Sequence, residues 1–383
     1  MPDQKEILRF KNLPTPFYYY NMDVLDKTLK ELVHESGRYN YLVHYALKAN
    51  ANYRLLEMVR SYGLGADCVS GNEIRKAAEL GFSSEGIVFA GIGKTDDEIN
   101  TAIDHNIFCF NCESLPEMEV INNIAAGKNK TVSIALRINP NINANTHHYI
   151  TTGLEENKFG INVWELENII ESLSSLANLR LIGLHFHIGS QITDLTVFKG
   201  LCLRVNELQQ WFLNHHLELE HLNLGGGLGV DYVNPDQNLI PDFRSYFRIF
   251  HDFVEHSPKQ QIHFELGRSV VAQCGTLISK VLYVKKGMNT NFVIIDAGMT
   301  ELLRPALYQA YHKIENLTSL DEIPGRYDVV GPICESSDCF GKSVMLPKTM
   351  RGDIIAIRSA GAYGEVMASQ YNLRDLVRSY YSI

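Results

Sequence analysis

From residue 41 to residue 269, short apolar runs alternate with amphipathic segments. The runs have the length of buried strands, and between them apolar side chains recur at helical spacing. The eight runs are 41–47, 64–69, 87–92, 107–110, 132–138, 179–188, 219–224 and 262–266. The helical patterns include 54–59, 73–80, 97–102, 166–173, 198–212 and 243–254. Repetition of a strand and a helix predicts a parallel sheet covered by helices.

Eight such units fit the length of one closed (β/α)8 barrel, about 250 residues. An open, doubly wound sheet is the competing architecture. That fold carries a glycine-rich dinucleotide fingerprint after its first strand, whereas the first strand here is followed by Lys48-Ala49-Asn50. The pattern therefore predicts an α/β protein with a TIM-like barrel.

The rhythm changes after residue 269. Short strand patterns at 272–284, 291–296, 327–330 and 353–359 follow one another with turn residues and without helical spacers. They predict a C-terminal, mostly antiparallel β domain, to which the aromatic run 17–20 could add a strand. We predict an N-terminal segment (1–22) that joins the β domain, a barrel (23–258) and the β domain itself (259–383).

Composition narrows the class of protein. The 383 residues are 45% hydrophobic, with a net charge of −9 and a pI near 5.9, so we expect a globular protein without a nucleic-acid or membrane partner. No apolar span suggests a membrane segment, and seven scattered cysteines predict free thiols in a reducing cytoplasm. The single C-x-x-C, Cys109 to Cys112, lacks a second ligand pair, so we expect no metal.

Lys48 closes the first apolar run and stands at the end of a predicted buried strand. Burial disfavours the charged ammonium and moves the group toward a neutral, nucleophilic amine. Since such an amine bonds to aldehydes, we interpret Lys48 as the covalent anchor of pyridoxal 5'-phosphate. A lysine that extends its amine into water is the alternative on this stretch alone.

In a (β/α)8 barrel the reacting groups lie at the C-terminal ends of the strands. Here those ends combine basic, acidic, imidazole and glycine positions, as a phosphorylated, ionisable cofactor requires. We predict that this rim binds the cofactor. Its members are Lys48, Asp67, Arg137, His187, Ser190, Gly225, Gly226, Gly227, Glu265, Gly267 and Arg268.

Charge and geometry suggest individual roles on this rim. The glycines at 225–227 let backbone amides approach an anion, and a helix that started after them would favour phosphate; a plain tight turn is the alternative. Glu265 ends an apolar run and needs a donor partner, which is either a protonated pyridine nitrogen or Arg268. Ser190 can donate its hydroxyl to the phosphate. His187 can stack on the cofactor ring, or be an ordinary core histidine.

Eight motifs in order carry a family resemblance. They are Tyr45-Ala46-Leu47-Lys48-Ala49-Asn50, Lys158-Phe159-Gly160, His185-Phe186-His187-Ile188-Gly189-Ser190-Gln191, Gly225-Gly226-Gly227, Glu265-Leu266-Gly267-Arg268, Arg304-Pro305-Ala306-Leu307-Tyr308, Gly331-Pro332-Ile333-Cys334-Glu335-Ser336-Ser337-Asp338 and Gly361-Ala362-Tyr363-Gly364. The chain resembles the fold-type III pyridoxal phosphate-dependent decarboxylases nearly end to end. This resemblance implies an alanine racemase-like fold, a barrel plus a β domain.

Within that family the motifs are most similar to the branch that converts meso-2,6-diaminopimelate to L-lysine and carbon dioxide, the last step of lysine biosynthesis. The resemblance implies that Tyr363 also binds the phosphate. It implies that Lys48 and Cys334 are catalytic, with Cys334 and Glu335 entering from the neighbouring subunit of a homodimer. The substrate-binding positions are Arg268, Arg304, Tyr308, Glu335 and Tyr363. The chain departs from the pattern at Leu266, where many relatives have proline, and at Thr300-Glu301, where Asn-Asp is more usual.

The residue types agree with a dicarboxylic substrate. A planar guanidinium grips a carboxylate through two hydrogen bonds, so Arg268 and Arg304 suit a distal carboxylate and disfavour a simple diamine end. Charges solvated at the rim are the alternative interpretation of both side chains.

Three other functions stay open at this point. A racemase on the same barrel is expected to hold the pyridine nitrogen with an arginine, which Glu265 argues against. A related decarboxylase would act on another amino acid or on carboxynorspermidine. A non-catalytic homologue that only binds partners is disfavoured by the presence of Lys48, Cys334 and the phosphate positions.

Overall fold

The computed structural model describes residues 3–142, 158–321 and 323–382. The helices in these ranges are α1 (Gln4–Lys11), α2 (Met22–Gly37), α3 (Tyr53–Ser61), α4 (Gly71–Glu79), α5 (Asp96–Asp104), α6 (Leu115–Gly127), α7 (Leu166–Leu173), α8 (Thr196–Asn214), α9 (Phe243–Phe253), α10 (Arg268–Val271) and α11 (Arg304–Tyr308). The strands are β1 (Phe17–Tyr20), β2 (Leu42–Ala46), β3 (Gly65–Cys68), β4 (Ile87–Phe89), β5 (Cys109–Cys112), β6 (Val132–Arg137), β7 (Leu179–His185), β8 (His221–Asn223), β9 (Gln261–Leu266), β10 (Gly275–Lys286), β11 (Asn291–Ile295), β12 (Ile314–Asn316), β13 (Pro324–Val330), β14 (Cys339–Pro347), β15 (Ile354–Ile357) and β16 (Arg378–Tyr381). No helix in these ranges combines the length and the apolar character needed to cross a bilayer.

Strands β2 to β9 form a closed parallel barrel, which confirms the predicted architecture. The ring closes because β9 pairs with both β8 and β2, with Glu265 opposite His44. Small and branched side chains from successive strands pack together in the barrel unit, where Val88, Cys109, Ala135 and Ile182 are all buried. Such a filled interior is a core and leaves chemistry to the strand ends.

Three successive strand-to-helix turns use the same local signal. Ser70, Thr95 and Ser114 each precede a helix and accept a hydrogen bond from the backbone N–H three residues later, so they cap α4, α5 and α6. A hydroxyl in this position satisfies an N–H group that has no partner within the helix. The caps fix where each helix begins, and therefore how each preceding strand ends.

The second unit is an eight-stranded sheet with the order β12-β15-β10-β11-β13-β14, in which β1 pairs with β10 and β16. Five of its strand pairings are antiparallel, whereas β1–β16 and β11–β13 are parallel. The predicted addition of residues 17–20 to this sheet is seen as β1. One of its cores contains Phe10, Phe17, Tyr19 and Ile278.

The boundaries of the two units differ from the predicted ones. One unit contains residues 29–229 and 242–267, and the other contains 1–28, 230–241 and 268–383. The predicted boundary between 258 and 259 is wrong because β9 closes the barrel. The segment 230–241 was assigned to the barrel by sequence, yet it belongs with the β-rich unit.

Candidate active site

The first site element joins the ends of two neighbouring barrel strands. Lys48 lies in a 3₁₀ turn directly after β2, and its Nζ donates to Asp67 Oδ2 of β3 over 3.0 Å. Gly267, directly after β9, allows a close approach to this turn, since a Cβ at 267 would lie 2.8 Å from the Ala49 Cβ. The structure thus brings Lys48 and Asp67 together, as the strand-end argument predicted.

The surroundings of Lys48 differ from the dry environment expected from the sequence. Its side chain is 37% exposed and is paired with a fully buried carboxylate, so the ammonium is stabilised rather than stripped of partners. Burial, and then the negative charge of Glu265, raise the pKa of Asp67 to about 6, while Lys48 opposes this shift. The carboxyl group of Asp67 therefore changes its charge close to neutral pH.

Glu265 of β9 is a buried carboxylate held by three donors within the barrel. Asn111 Nδ2 and Asn223 Nδ2 donate to Oε1 over 3.1 and 2.7 Å, and His185 Nε2 donates to Oε2 over 2.8 Å. These donors lie on β5, β8 and β7, so three strands fix the orientation of one carboxylate. An ionised carboxylate has about four acceptor positions, which leaves one for a further donor.

The same cage determines the charge of Glu265. Burial by itself raises its pKa, but the charge and hydrogen bond of His185, followed by the charge of Lys48, outweigh burial and hold the pKa well below its ordinary value. Glu265 is therefore an anion throughout the physiological range. A buried anion with one open acceptor position is suited to a cationic N–H group.

The glycine turn after β8 is shaped by close backbone contacts. Gly225 and Gly227 have φ angles of 67° and 103°, which side chains disfavour. A Cβ at Gly227 would lie 2.8 Å from the Gly189 carbonyl oxygen, and one at Gly226 would collide with the Glu265 carbonyl. The backbone of the turn, without side chains, can therefore face a ligand. No helix starts directly after it to favour phosphate further, since the next described helix, α9, begins at residue 243.

The loop after β7 packs against this turn through the Ile192 N–H, which donates to the Gly227 carbonyl over 2.9 Å. His187 lies on this loop, and Gly226 N–H points at its Nδ1 over 3.5 Å. Burial, and then the charges of Lys48 and Arg137, hold the pKa of His187 well below its ordinary value, so the ring is neutral. Ser190 follows on the same loop, which places both predicted residues beside the glycine turn in the fold.

Arg137, at the end of β6, forms a buried ion pair with Glu113 over 2.5 Å. The second oxygen of Glu113 accepts from the Gly160 N–H over 2.8 Å, and the guanidinium lies 4.8 Å from the centre of the Phe159 ring. The Lys158-Phe159-Gly160 motif is thereby connected to the barrel. Part of the segment before this motif, 143–157, lies outside the described residues.

These barrel residues fit pyridoxal phosphate on three counts. Glu265 offers an open acceptor to a pyridinium N–H, and the glycine turn offers bare backbone to a phosphate. Asp67 Oδ1 and His185 Nδ1 are buried without a hydrogen-bond partner among the described residues. Such orphaned polar atoms are costly in a folded protein and are typical of a binding site. No group of His, Cys, Asp and Glu side chains in the described ranges has the arrangement of a metal site.

The second unit contains its own buried cationic cluster. Arg268 and Arg304 donate to the same atom, the Tyr232 hydroxyl oxygen, over 2.8 and 2.9 Å. Arg304 also donates to His312 Nε2 over 2.8 Å, and the opposite nitrogen, Nδ1, donates to the Arg358 carbonyl. Within the described residues no carboxylate lies at ion-pair distance from Arg304, whose hydrogen-bond partners are the Tyr232 hydroxyl and the His312 ring.

The remaining predicted residues also lie in this unit. Tyr308 ends the short helix α11 that Arg304 begins, and the Tyr363 ring lies 4.8 Å from the Arg268 guanidinium carbon. Cys334 and Glu335 are exposed, and the Glu335 carboxylate accepts from the Tyr371 hydroxyl over 2.7 Å. Their exposure leaves both side chains accessible to another molecule.

Sequence reasoning assigned no orienting role to the residues that hold these groups. Asn111, Asn223 and His185 hold Glu265 from other strands, and Tyr232 lies in a segment that the pattern assigned to the barrel. A signal existed for Asn223 and His185, which are polar positions inside the predicted runs 219–224 and 179–188, and for Asn111, which directly follows the run 107–110. A buried polar side chain needs a partner, so such positions indicate a network.

Comparison with known proteins identifies relatives over the whole chain. Residues 23–272 match the family model described as pyridoxal-dependent decarboxylase, pyridoxal binding domain. A diaminopimelate decarboxylase from Bacteroides thetaiotaomicron is 56% identical over 375 residues, 98% of this chain and 97% of its own length. The diaminopimelate decarboxylase of Aquifex aeolicus is 37% identical over 94% of this chain and 84% of its own length.

Solved structures agree with the sequence relatives. The crystal structure of diaminopimelate decarboxylase from Helicobacter pylori complexed with L-lysine superposes with a TM-score of 0.92. It is 39% identical and covers all of this chain, which in turn covers 94% of the solved one.

Proposed function

Because the chain belongs to the family of pyridoxal-dependent decarboxylases, we propose that it converts meso-2,6-diaminopimelate to L-lysine and carbon dioxide. The observation that carries this proposal is the caged, permanently anionic Glu265 in a barrel whose neighbouring strand end presents Lys48. The substrate is taken from the names of relatives that match almost the full chain. The reaction would be the last step of lysine biosynthesis.

We propose that the barrel unit holds pyridoxal 5'-phosphate. Lys48 Nζ is the covalent anchor, Glu265 accepts from the pyridine N–H, and the neutral His187 ring lies on the cofactor face. The phosphate is bound by backbone amides of the glycine turn 225–227 and by the Ser190 hydroxyl. When bound, this cofactor supplies an electron-withdrawing ring that accepts the electron pair of the breaking carbon–carbon bond.

The other predicted cofactor residues have supporting roles in this proposal. Asp67 holds the Lys48 ammonium, and its raised pKa lets it take the proton when Lys48 must act as a neutral amine. Arg137 adds positive charge beside His187 and helps to keep that ring neutral. Gly267 permits the close packing at the Lys48 turn, and Arg268 and Tyr363 complete the predicted set.

We assign binding of the substrate's distal carboxylate to Arg268, Arg304 and Tyr308, with Tyr363 beside Arg268. Arginine cannot lose its proton in a protein, so two guanidinium groups that share one acceptor atom create a positively charged region that attracts an anion. A carboxylate would satisfy both charges and their remaining N–H donors. A diamine end would instead bring a further cation to two positive charges, which disfavours substrates that lack the second carboxylate.

Bond breaking and protonation follow from the residues. Carbon dioxide leaves, and the carbon that carried the carboxylate takes a proton in its place, from the Cys334 thiol or from Lys48 Nζ. Glu335 holds the distal ammonium of the substrate.

We propose that Cys334 and Glu335 act in the site of a second copy of this chain, which makes the enzyme a homodimer with shared sites. Seven free thiols suit a reducing compartment, so we also place the enzyme in the cytoplasm.

The test combines a spectrum with an assay of gas release. Protein reconstituted with excess pyridoxal phosphate should turn yellow and release carbon dioxide from meso-2,6-diaminopimelate. A substrate panel with L-lysine, L-ornithine and carboxynorspermidine distinguishes the related decarboxylases, and loss of stereochemical purity without gas release would indicate a racemase. Absence of both colour and gas would overturn the proposal.

A further inference from the structure

Two like charges meet at one oxygen atom in the β-rich unit. Arg268 and Arg304 both donate to the Tyr232 hydroxyl, and all three side chains are buried. The hydroxyl oxygen has two lone pairs, so both acceptor positions are filled by guanidinium N–H groups. Burial raises the pKa of Tyr232, but the two arginine charges outweigh burial and lower it. The phenol oxygen is therefore the most negative atom of this cluster.

Tyr232 is held in place by its own segment, 230–241. The Arg358 guanidinium forms an ion pair with Asp236 of this segment over 2.7 Å, and Gln273 Nε2 donates to the Asp231 carbonyl over 3.0 Å. Arg358 also pairs with Glu315 over 2.7 Å. Since Arg358 is itself buried, these contacts fix the segment against the sheet and with it the position of the phenol.

His312 restrains Arg304 from the other side. Its Nδ1 faces the Arg358 carbonyl over 2.8 Å, and a carbonyl only accepts, so Nδ1 carries the proton. Nε2 is then a bare lone pair and accepts from Arg304 over 2.8 Å. Burial, followed by the charges of Arg304 and Arg268, lowers the pKa of His312 to about 3. The ring is neutral at physiological pH and is a fixed acceptor.

We propose that Tyr232 and His312 are positioning residues that aim the two arginines at the carboxylate of the ligand and so set the preference for a carboxylate-bearing end. This inference rests on the proposed function of Arg268 and Arg304. Tyr232 acts as a shared acceptor that keeps two like charges together, and His312 selects one orientation of the Arg304 fork. Neither residue needs to touch the substrate.

The probes are two compounds that differ by one group. L-Lysine carries a carboxylate, and cadaverine is the same chain without it. Binding of each to the holoenzyme is measured by calorimetry with wild-type protein and with Tyr232→Phe, His312→Leu and His312→Gln. The first variant keeps the ring and removes the shared oxygen, the second removes the acceptor, and the third retains an acceptor for Arg304.

We expect Tyr232→Phe and His312→Leu to weaken L-lysine binding by about tenfold or more, the size of a lost hydrogen bond to a charged group. Cadaverine binding should change by less than about twofold, and His312→Gln should recover most of the L-lysine affinity. A purely structural role would weaken both ligands equally. An unchanged ratio of the two affinities in Tyr232→Phe would overturn the inference.

The same experiment separates this inference from the proposed function. If wild-type protein shows no preference for L-lysine over cadaverine, the assignment of the arginine pair to a carboxylate fails first. If wild-type protein shows the preference and the variants retain it, only the positioning roles of Tyr232 and His312 fail. Thermal unfolding of each variant identifies any that does not fold, and Tyr232→Phe, which deletes a single oxygen, then decides.

Discussion

Lys48 Nζ donates to Asp67 Oδ2 over 3.0 Å, and the other oxygen of this carboxylate is buried without a partner among the described residues. The two residues are neighbours because β2 and β3 pair in parallel with Ala46 opposite Asp67. A lysine side chain that is partly exposed is thus held by a carboxylate that is fully buried. Asp67 can therefore bind a proton close to the predicted anchor, and the charge of the site depends on pH.

The stability of the cofactor-free protein should therefore depend on pH through Asp67. Its pKa rises from 3.8 to about 6 on folding, so the folded state takes up a proton first as the pH falls. Relative to an Asp67→Asn variant, the wild-type free energy of unfolding should increase between about pH 7 and pH 4, by up to about 3 kcal/mol.

Urea unfolding of the cofactor-free wild type and of Asp67→Asn over this range checks the prediction. Lys48→Met is a useful control, because removal of the ammonium should move the change to higher pH. A difference between wild type and Asp67→Asn that stays constant with pH would show that Asp67 keeps an ordinary pKa.

Replacement of Lys48 tests the covalent anchor directly. We expect Lys48→Ala to abolish turnover, because Lys48 supplies the only amine to which this proposal attaches the cofactor. Borohydride reduction followed by peptide mass analysis should find the cofactor on the Lys48 peptide of the wild type and on no peptide of the variant. The control is Lys27→Ala, which replaces an exposed lysine of α2 and should behave as wild type. Turnover by Lys48→Ala at the wild-type rate is the result that would refute the anchor.

Glu265→Gln preserves the shape of the side chain and removes its charge. We expect kcat to fall by about a hundredfold or more, since a preorganised charge is lost at the ring nitrogen. The amide also turns a donor toward Asn111, Asn223 or His185, so the free energy of unfolding should drop by about 1–3 kcal/mol. Stopped assays and urea unfolding measure both effects.

The control for this change is Glu119→Gln on the exposed face of α6, which should alter neither quantity. If Glu265→Gln retained wild-type kcat with bound cofactor, the electronic role of this carboxylate would be excluded. A loss of stability without a loss of kcat would assign Glu265 to the cage alone.

The periodicity of the chain was sufficient to predict the barrel. All eight apolar runs became the strands β2 to β9, because a parallel strand buried on both faces has to be apolar along its length. The strand ends then follow from topology, so Lys48, Asp67 and Glu265 could be grouped without coordinates. The side chains at the rim can therefore be predicted when the order and the ends of the strands are predicted.

Long-range packing was not predictable in the same way. Tyr232 lies in a segment between β8 and α9 without regular structure. The contacts of this segment with the β-rich unit include the Arg358–Asp236 ion pair, whose partners are 122 residues apart in sequence. The boundary between residues 258 and 259 was misplaced, although the run 262–266 had been counted among the eight barrel strands. The environment of Lys48 was misjudged since a sequence does not show which carboxylate will face a strand end.

The arginine cluster can be tested by truncation. Arg304→Ala should raise the KM for meso-2,6-diaminopimelate by about tenfold to a hundredfold and change kcat less, because a hydrogen bond to a charged group is lost in the ground state and in the transition state alike. Arg326→Ala, an exposed arginine on β13, is the matched control and should leave KM unchanged. Equal KM values for Arg304→Ala and wild type would remove Arg304 from the substrate site.

A site shared between two copies of the chain predicts recovery of activity on mixing inactive variants. Lys48→Ala damages the barrel contribution, and Cys334→Ala damages the contribution of the exposed residues 334–337. The two variants are unfolded together in equal amounts and refolded. Half of the resulting dimers would then contain one chain of each variant, and each such mixed dimer would contain one intact site. We expect about a quarter of the wild-type activity, if the symmetric dimer exchanges this turn between subunits.

The matched control mixes Lys48→Ala with Glu265→Gln. Both changes lie in the barrel unit, so every mixed dimer has one defect in each barrel and no site is intact. Activity in the first mixture but not in the second requires that Cys334 act in a site whose Lys48 belongs to another chain. If neither mixture recovers while size-exclusion chromatography shows mixed dimers, Cys334 acts within its own chain and the shared-site arrangement is wrong.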